Sequence, residues 1–340
     1  MTLKSANVVI VGAAGLVGQE IALVLAEHGD ALPVREIRVV ASDRSAGHEL
    51  TALGRRLTVA AISEDSFRGM DFAFFAAPND VSAHYAPIAA QAGVVCIDKS
   101  SHFRMQAGIP LVVPEVNLGH IGPEDRIIAS PNCSTIQLVM ALGPLERAYG
   151  IRRVIVSTYQ SVSGSGREAL DGLEAEARAW AGGAASEPKA YREPIAFNVL
   201  AQCDAFQPDG FTKEELKLRQ ETRKILGRPD LELAATAVRV PVRIGHAEAV
   251  TVELGRSVTA EEARELLRGQ TGVRIVDDPQ AGVYPTPLQA AGQDDVLIGR
   301  LRQDPDREDT LHFFVVADNL RKGAATNAVQ IAEALWQNRK

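Results

Sequence analysis

Cysteine is scarce in this sequence: Cys96, Cys133 and Cys203 are the only three in 340 residues, with no CxxC pair and no His/Cys cluster. That scarcity excludes a disulfide framework and a zinc site, and no metal is expected. Free thiols in a reducing compartment are the better reading. No apolar run approaches the roughly 20 residues that a membrane span requires, so no membrane partner is expected. The N-terminal MTLKSANVVIVG passes directly into a strand pattern, without the n-region, h-region and cleavage site of a secretory leader. A cytoplasmic protein is the expectation. Blocks of like charge are also missing: the net charge of −7 is spread along the chain, which argues against a nucleic-acid partner. There is no internal repeat.

What is present is an apolar fraction of 46% and a charged fraction of 23%, the balance of a soluble globular protein. The length suits about two domains. The first 130 residues alternate short β-rich runs (ANVVIVG, IRVVAS, MDFAFFAA, GVVCID) with helical stretches, the pattern of a mostly parallel α/β sheet. Ile21, Val24, Leu25 and His28 recur at helical spacing behind the first run. From about Val154 the strands are longer and alternate (RRVIVSTYQSV, AATAVRVPV, AVTVELG, LHFFVVADN), which predicts an antiparallel or mixed sheet packed on helices. The closing KGAATNAVQIAEALWQ reads as a helix with Ala325, Val329, Ala332 and Trp336 on one stripe, able to return to the first domain. Trp180 to Ala190, WAGGAASEPKA, reads as a flexible connection or a subunit-contact loop.

Gly12, Gly15 and Gly18 in VVIVGAAGLVGQEI follow the first strand and open the first helix. Glycines there let the backbone approach a pyrophosphate, whose charge meets the helix N-terminus. The spacing is GxxGxxG instead of the dinucleotide fingerprint GxGxxG, so the alternative of a ligand-free turn stays open. After the second strand, Ser42, Arg44 and Ser45 offer small donors and a guanidinium suited to a ribose 2′-phosphate. That favours NADP, while Asp43 in the same loop would suit NAD.

Cys96, within GVVCIDKS, reads as a small core hydrophobe. Cys203 has no legible chemistry around it. Cys133 differs, because Pro131 and Asn132 mark a turn and STIQLVMAL continues as a helix. A sulfur at a helix N-terminus is favoured as thiolate over a thiol of reference pKa about 8.5. Position alone leaves Cys133 open between packing and reacting. The tripeptide NCS also matches a glycosylation sequon, which is empty without a secretory signal. Further on, Thr212 and Glu215 form a capping box, while Glu214 and Lys217 share one helix face, a spacing that a solvated ion pair explains better on the residues alone.

The segments GAAGLVG, SSHFR, SPNCSTIQ, STYQSVSGSGREAL, FTKEELKLRQETRKIL, RVPVRIGHAEAV and DNLRKGAATNAV resemble, in order and rough spacing, the bacterial aspartate-semialdehyde dehydrogenase family over nearly the whole chain. The resemblance implies reductive dephosphorylation of L-4-aspartyl phosphate by NADPH to aspartate 4-semialdehyde, NADP and phosphate, a branch step towards lysine, methionine and threonine. It implies an N-terminal Rossmann-like doubly wound parallel sheet (NADP-binding, 1–130, completed by the helix 323–340) and an α+β catalytic and dimerisation domain with a mixed sheet (131–322). Cys133 then corresponds to the nucleophile that forms a thioester. His246 corresponds to an acid/base titrating near neutrality, and Gln160 to the residue orienting the acyl intermediate. Arg239, seven residues before His246, would clamp the substrate α-carboxylate. Glu214 would receive the amino group, Lys217 and Arg104 would bind phosphate, and Asn132 would sit beside the substrate. For the cofactor the resemblance implies Gly12, Ala13, Gly15, Leu16, Val17 and Gly18 at the first turn, with Ser42, Arg44 and Ser45 beyond the second strand. Ser163, Gly164 and Gly166 would surround the nicotinamide, and Asn319 would contact its amide. A homodimer is the implied assembly.

Two segments depart from the family pattern, AAPND from Ala76 to Asp80 and DKSS with Lys99, both near the expected cofactor surface. AAPND is closer to the N-acetyl-gamma-glutamyl-phosphate reductases, against which NCST and TKEELK read. A non-catalytic nucleotide-binding paralogue is an alternative of another class, and a sugar-phosphate dehydrogenase with a covalent cysteine is a third. Cys133, His246, Gln160 and Arg239 together speak for an enzyme, and the Glu214/Arg239 pair for a zwitterionic substrate.

Overall fold

The computed structural model describes residues 5–184 and 187–338. Ala185 and Ser186, inside the segment expected as a connection or subunit contact, lie outside the described residues, as do Arg339 and Lys340 at the end of the helix expected over 323–340. The chain forms two compact units, Met1–Asn132 with Ala324–Lys340, and Cys133–Gly323.

In the first unit β1 (Ala6–Val11) leads into α1 (Leu16–Glu27) and β2 (Val34–Ala41); β3 (Glu49–Ala52) and β4 (Arg55–Thr58) form a hairpin before β5 (Ala60–Ala61). β6 (Phe72–Phe75), α2 (Asn79–Gln91), β7 (Val95–Asp98), α3 (Pro114–Asn117) and β8 (Ile127–Ala129) follow. The sheet runs β5-β2-β1-β6-β7-β8, and each of its pairs is parallel. Parallel strands are covered on both faces, which is why FAFF is apolar throughout, ANVVIV is apolar but for Asn7, and both are buried at every position. Strand order reverses between β1 and β6, and such a switch point opens a crevice at the carboxyl ends of the strands. The β3–β4 hairpin was not expected. Its two-residue turn puts Leu53 at φ 51° and Gly54 at φ 69°, the doubly left-handed turn that Asn-Gly normally announces.

The second unit begins with α4 (Cys133–Tyr149), β9 (Ile151–Gln160), α5 (Arg167–Ala181) and α6 (Lys213–Leu226). It continues through β10 (Glu232–Arg239), β11 (His246–Leu254), α7 (Ala260–Arg268), β12 (Val273–Ile275), α8 (Pro287–Ala290), β13 (Val296–Gln303) and β14 (Thr310–Ala317). Its sheet, β10-β9-β11-β14-β13-β12, is parallel at the two outer pairs and antiparallel between them, a mixed sheet as expected. α4 lies over β9, β11 and β14, with Ser134 through Leu145 all buried. Thr158 and Gln160 flank the exposed Tyr159 on β9, His246 and Glu248 share one face of β11, and all four are buried.

A π-helical turn, Arg321–Ala325, then leads into α9 (Thr326–Gln337). Ala325, Val329, Ala332 and Trp336 are buried in the core of the first unit, where Trp336 meets Phe72 edge-on at 6.3 Å. His28 Nδ1 lies 2.8 Å from Glu333. Among the described residues no helix is long and apolar enough to cross a membrane.

Candidate active site

At the switch point of the first sheet lies a cavity of about 690 Å³. Gly12 and Gly15 line it from the end of β1, Ser42, Arg44 and Ser45 from the end of β2, and Ala76 from the end of β6. Gly12 has φ +83°, and a Cβ on it would stand 2.2 Å from the Ala76 carbonyl oxygen. A Cβ on Gly18 would stand 2.3 Å from the Gly12 oxygen, so both positions admit only glycine. Ala13 is buried behind this turn, and Leu16 and Val17 begin α1, whose first turn carries no acidic side chain and no side-chain cap. A helix end of that kind receives an anion on its N–H groups. The cradle therefore fits a pyrophosphate, and Arg44 on the wall fits a further phosphate. Ala76, Ala77, Pro78 and Asp80 line the cavity too, so the AAPND departure falls on its wall.

The loop before Cys133 is strutted from β7. Lys99 donates to the Pro131 carbonyl at 2.9 Å, and the buried Arg104 donates from Nη2 to the Lys99 carbonyl at 2.7 Å. Asn132 is buried at the end of this loop.

Cys133 is the first residue of α4 and half-buried, while Cys96 and Cys203 are buried. Burial raises both of those thiols, Cys203 to about 12, so neither is a ready nucleophile. Against Cys133 sits Gly323 of the π-helical turn: a Cβ there would stand 3.0 Å from the Cys133 Cβ. Gly323 is itself fixed by its N–H to the Asp318 carbonyl at 2.9 Å.

His246 opens β11 and is fully buried. Its Nδ1 accepts the Ser161 backbone N–H at 3.0 Å, with the Ser161 hydroxyl also at 3.0 Å, and its Nε2 has no hydrogen-bond partner. The Ser161 carbonyl accepts from Arg239 Nη1 at 2.8 Å, while Arg239 Nε is buried without a partner. Gly164 fits between ring and guanidinium, where a Cβ would stand 3.0 Å from each. Ser163 and Asn319 are buried beside them: Asn319 Oδ1 accepts from Ser161 Oγ, Ser163 Oγ and Gly245 N–H, and its Nδ2 donates back to Ser163. The Asn319 carboxamide thus ties the β9 end to the β11 start. Gly166, at φ +95°, stands at the N-cap of α5.

Gln160 donates to Glu214 Oε1 at 3.0 Å; Lys217 bridges Glu214 at 3.3 Å and Asp204 at 2.7 Å. Glu214 is buried, so this pair is no solvated helix pair. The capping box formed by Thr212 and Glu215 is present as expected. Arg239, Cys203, Asp204 and Tyr191 line a second cavity of about 640 Å³.

Two family models match this chain, "Semialdehyde dehydrogenase, NAD binding domain" over residues 7–123 and "Semialdehyde dehydrogenase, dimerisation domain" over 142–322. The aspartate-semialdehyde dehydrogenase of Aquifex aeolicus is 49% identical over 97% of both chains, and that of Bacillus subtilis 45% over 98% of both. A crystal structure of aspartate semialdehyde dehydrogenase II from Vibrio cholerae, complexed with ASA, superposes with a TM-score of 0.94 at 44% identity, covering 98% of this chain and 99% of that one. The chain belongs to the aspartate-semialdehyde dehydrogenase family.

Within this family's dinucleotide-binding and dimerisation architecture, the structure corrects one expectation. His246 does not titrate near neutrality: burial, and then the Arg239 cation, hold its pKa well below the usual imidazole range. Two residues after it, Glu248 is fully buried, and burial raises its carboxyl well above the usual range. The Gln137 carboxamide is near enough to offset part of that shift, yet it stands outside hydrogen-bond geometry, and both Glu248 oxygens are unpartnered. Lys99, Ser161, Gly323 and Glu248 are the residues that sequence reasoning missed as site components. Only Lys99 had a visible signal, as a departure from the family pattern.

Proposed function

We propose that this enzyme reduces L-4-aspartyl phosphate to L-aspartate 4-semialdehyde with NADPH, releasing phosphate. The supporting observation is Cys133, a half-buried sulfur at the head of α4 in a chain whose other thiols are buried and raised. In this reading Arg104 and Lys217 bind the acyl phosphate, Arg239 takes the α-carboxylate, and Glu214 the α-ammonium group. Asn132 sits beside the substrate and Gln160 orients its acyl group. The Cys133 thiolate displaces phosphate to give a thioester, which splits one hard reduction into two easier steps. His246 serves the acyl oxygen.

The choice of NADP over NAD is supported by Ser42, Arg44 and Ser45 on the cavity wall, from whose described lining Asp43 is absent. Bound there, the nicotinamide would supply the hydride. Ser163, Gly164 and Gly166 form the loop assigned to its ring, and Asn319 holds that loop. The division at 1–130 with 323–340, against 131–322, separates cofactor from substrate duties. The protein works in the cytoplasm as a homodimer, the second point supported by the dimerisation-domain match.

Reverse turnover tests the reading: aspartate semialdehyde and phosphate are supplied with NADP or NAD, and acetylated glutamate semialdehyde replaces the substrate in parallel. Phosphate-dependent NADP reduction with the unacetylated aldehyde is expected, with none from Cys133→Ala, which should still bind NADP. Preference for the acetylated aldehyde, or appreciable turnover by Cys133→Ala, overturns it.

A further inference from the structure

Beneath His246 and Gln160 the second unit keeps a polar layer where hydrocarbon would pack. Glu248 on β11 and Thr158 on β9 are directly opposed in the antiparallel register, so their side chains leave one face of the sheet with β-carbons about 5 Å apart. Gln160 lies two residues beyond Thr158 and His246 two residues before Glu248, on that same face. The next opposed pair in the other direction, Val156 and Val250, is apolar and buried. Gln137 meets the layer from α4, which packs over both strands, and it stands one helical turn after Cys133 on the same face of the helix. Thr158, Gln137 and Glu248 are all buried, and four of their polar atoms, Thr158 Oγ1, Gln137 Nε2 and both Glu248 oxygens, are without a partner. Polar atoms in that state cost free energy until something pairs with them. Atoms that face one another outside direct hydrogen-bond geometry are what an internal water joins. Burial, with the Glu214 anion of α6 adding to it, holds the Glu248 carboxyl in its neutral form, so it has an O–H to donate.

We propose that Glu248, Thr158 and Gln137 hold an internal water between the sheet and the first turn of α4, and that Glu248 thereby acts as a positioning residue for Cys133. This deepens the reading of Cys133 as nucleophile and rests on it. The water accepts from the Glu248 O–H and the Gln137 N–H and donates to the Thr158 hydroxyl, about three bonds, as is usual for a buried water. Hydrophobic contact alone is non-directional and lets a helix turn by a fraction of an ångström, whereas hydrogen bonds fix an angle. The bridge therefore sets the rotation of the turn that carries the sulfur. Gly323 bounds Cys133 by contact, and the water ties its helix to the strands that carry Gln160 and His246. Three apolar side chains would fill the same space without the cost of burying polar atoms, and such departures from an apolar core belong to functional sites.

A high-resolution crystal structure of the full chain reads the water without any assay of activity. Density within hydrogen-bond distance of Glu248, Thr158 and Gln137 is expected. A dry site, or a direct bond between Glu248 and Gln137 in place of the water, overturns the inference even if the enzyme reduces aspartyl phosphate. Failure of the proposed substrate in turnover leaves the water where it is, so the two readings fail separately. Variants then test the positioning role. Glu248→Met and Gln137→Met keep side-chain length and remove the partners of the water. Each should lower kcat by about 10-fold or more, with KM for aspartate semialdehyde within about twofold of wild type, the split expected when the nucleophile is misplaced and substrate binding is not. Because the two side chains share one water, the double variant should lose no more than the poorer single, whereas independent structural damage would add. Glu248→Gln, which restores a donor and an acceptor, should recover most of the kcat lost in Glu248→Met. Additive losses, no recovery in Glu248→Gln, or wild-type kcat in Glu248→Met overturn the proposal; the wild-type crystal structure decides it if the methionine variants do not fold.

Discussion

Gly323 is packed so closely on Cys133 that a single added methyl would stand 3.0 Å from the cysteine Cβ and 3.3 Å from the Asp318 carbonyl oxygen. The contact is made by backbone on one side and by the head of α4 on the other, and neither is a flexible side chain that yields cheaply. Gly323→Ala should therefore displace the sulfur. A misplacement of about 1 Å costs up to 100-fold in rate, so kcat should fall about 10- to 100-fold while the dissociation constant for NADP stays within twofold. Steady-state kinetics and a fluorescence titration check both. Unchanged kcat would mean that α4 absorbs the methyl.

Arg239 offers an unpartnered Nε, while its Nη1 is spent on the Ser161 carbonyl. Lysine cannot serve the carbonyl and a carboxylate together from one ammonium. Arg239→Lys should lose about 1.5–3 kcal/mol of recognition, a roughly 10- to 150-fold drop in kcat/KM for aspartate semialdehyde. The same assay with NADP as the varied substrate should show little change.

Arg44 is an exposed guanidinium on the cavity wall. If it meets a 2′-phosphate, Arg44→Ala should raise KM for NADP by about 10-fold or more and leave KM for NAD nearly constant, since the lost charge-assisted contact exists only with the phosphorylated ribose. An equal effect on both cofactors counts against that role.

Glu248 makes stability depend on pH in a defined direction. Its folded-state pKa lies above that of the unfolded chain, so the native protein keeps a proton that the unfolded chain gives up. The site is at its most favourable below about pH 4.3, the ordinary glutamate value, and loses stability as pH rises toward the raised folded value. Glu248→Gln removes that titration. Its stability relative to wild type should improve between pH 4 and pH 8 by about 1–3 kcal/mol, measured by urea unfolding. A difference that stays flat across that range would show Glu248 to be charged in the folded protein.

The site was legible wherever chemistry is written in side chains. Cys133 after a proline turn, His246 and Arg239 on strands, and glycines between β1 and α1 offer in their residue type the chemistry proposed for them. Ser161 does not, because what it gives His246 is a backbone N–H that any residue but proline would supply. Gly323 was invisible for a different reason: its need for glycine arises from a tertiary neighbour 190 positions away in sequence, at Cys133. In the fold, the parallel strands were read from short β-rich runs alternating with helical stretches. The β3–β4 hairpin was missed because Leu53 occupies a left-handed position that leucine seldom takes.

The first unit is discontinuous, and this bears on how the protein is born. Its core needs Ile331 and Trp336 from α9, which the ribosome makes only after the entire second unit. The contiguous stretch from Cys133 to Gly323 can condense during synthesis, whereas the dinucleotide-binding sheet must wait, with its hydrophobic flank open, for α9 to emerge. Biogenesis therefore completes the scaffold of the proposed nucleophile before the proposed cofactor's berth.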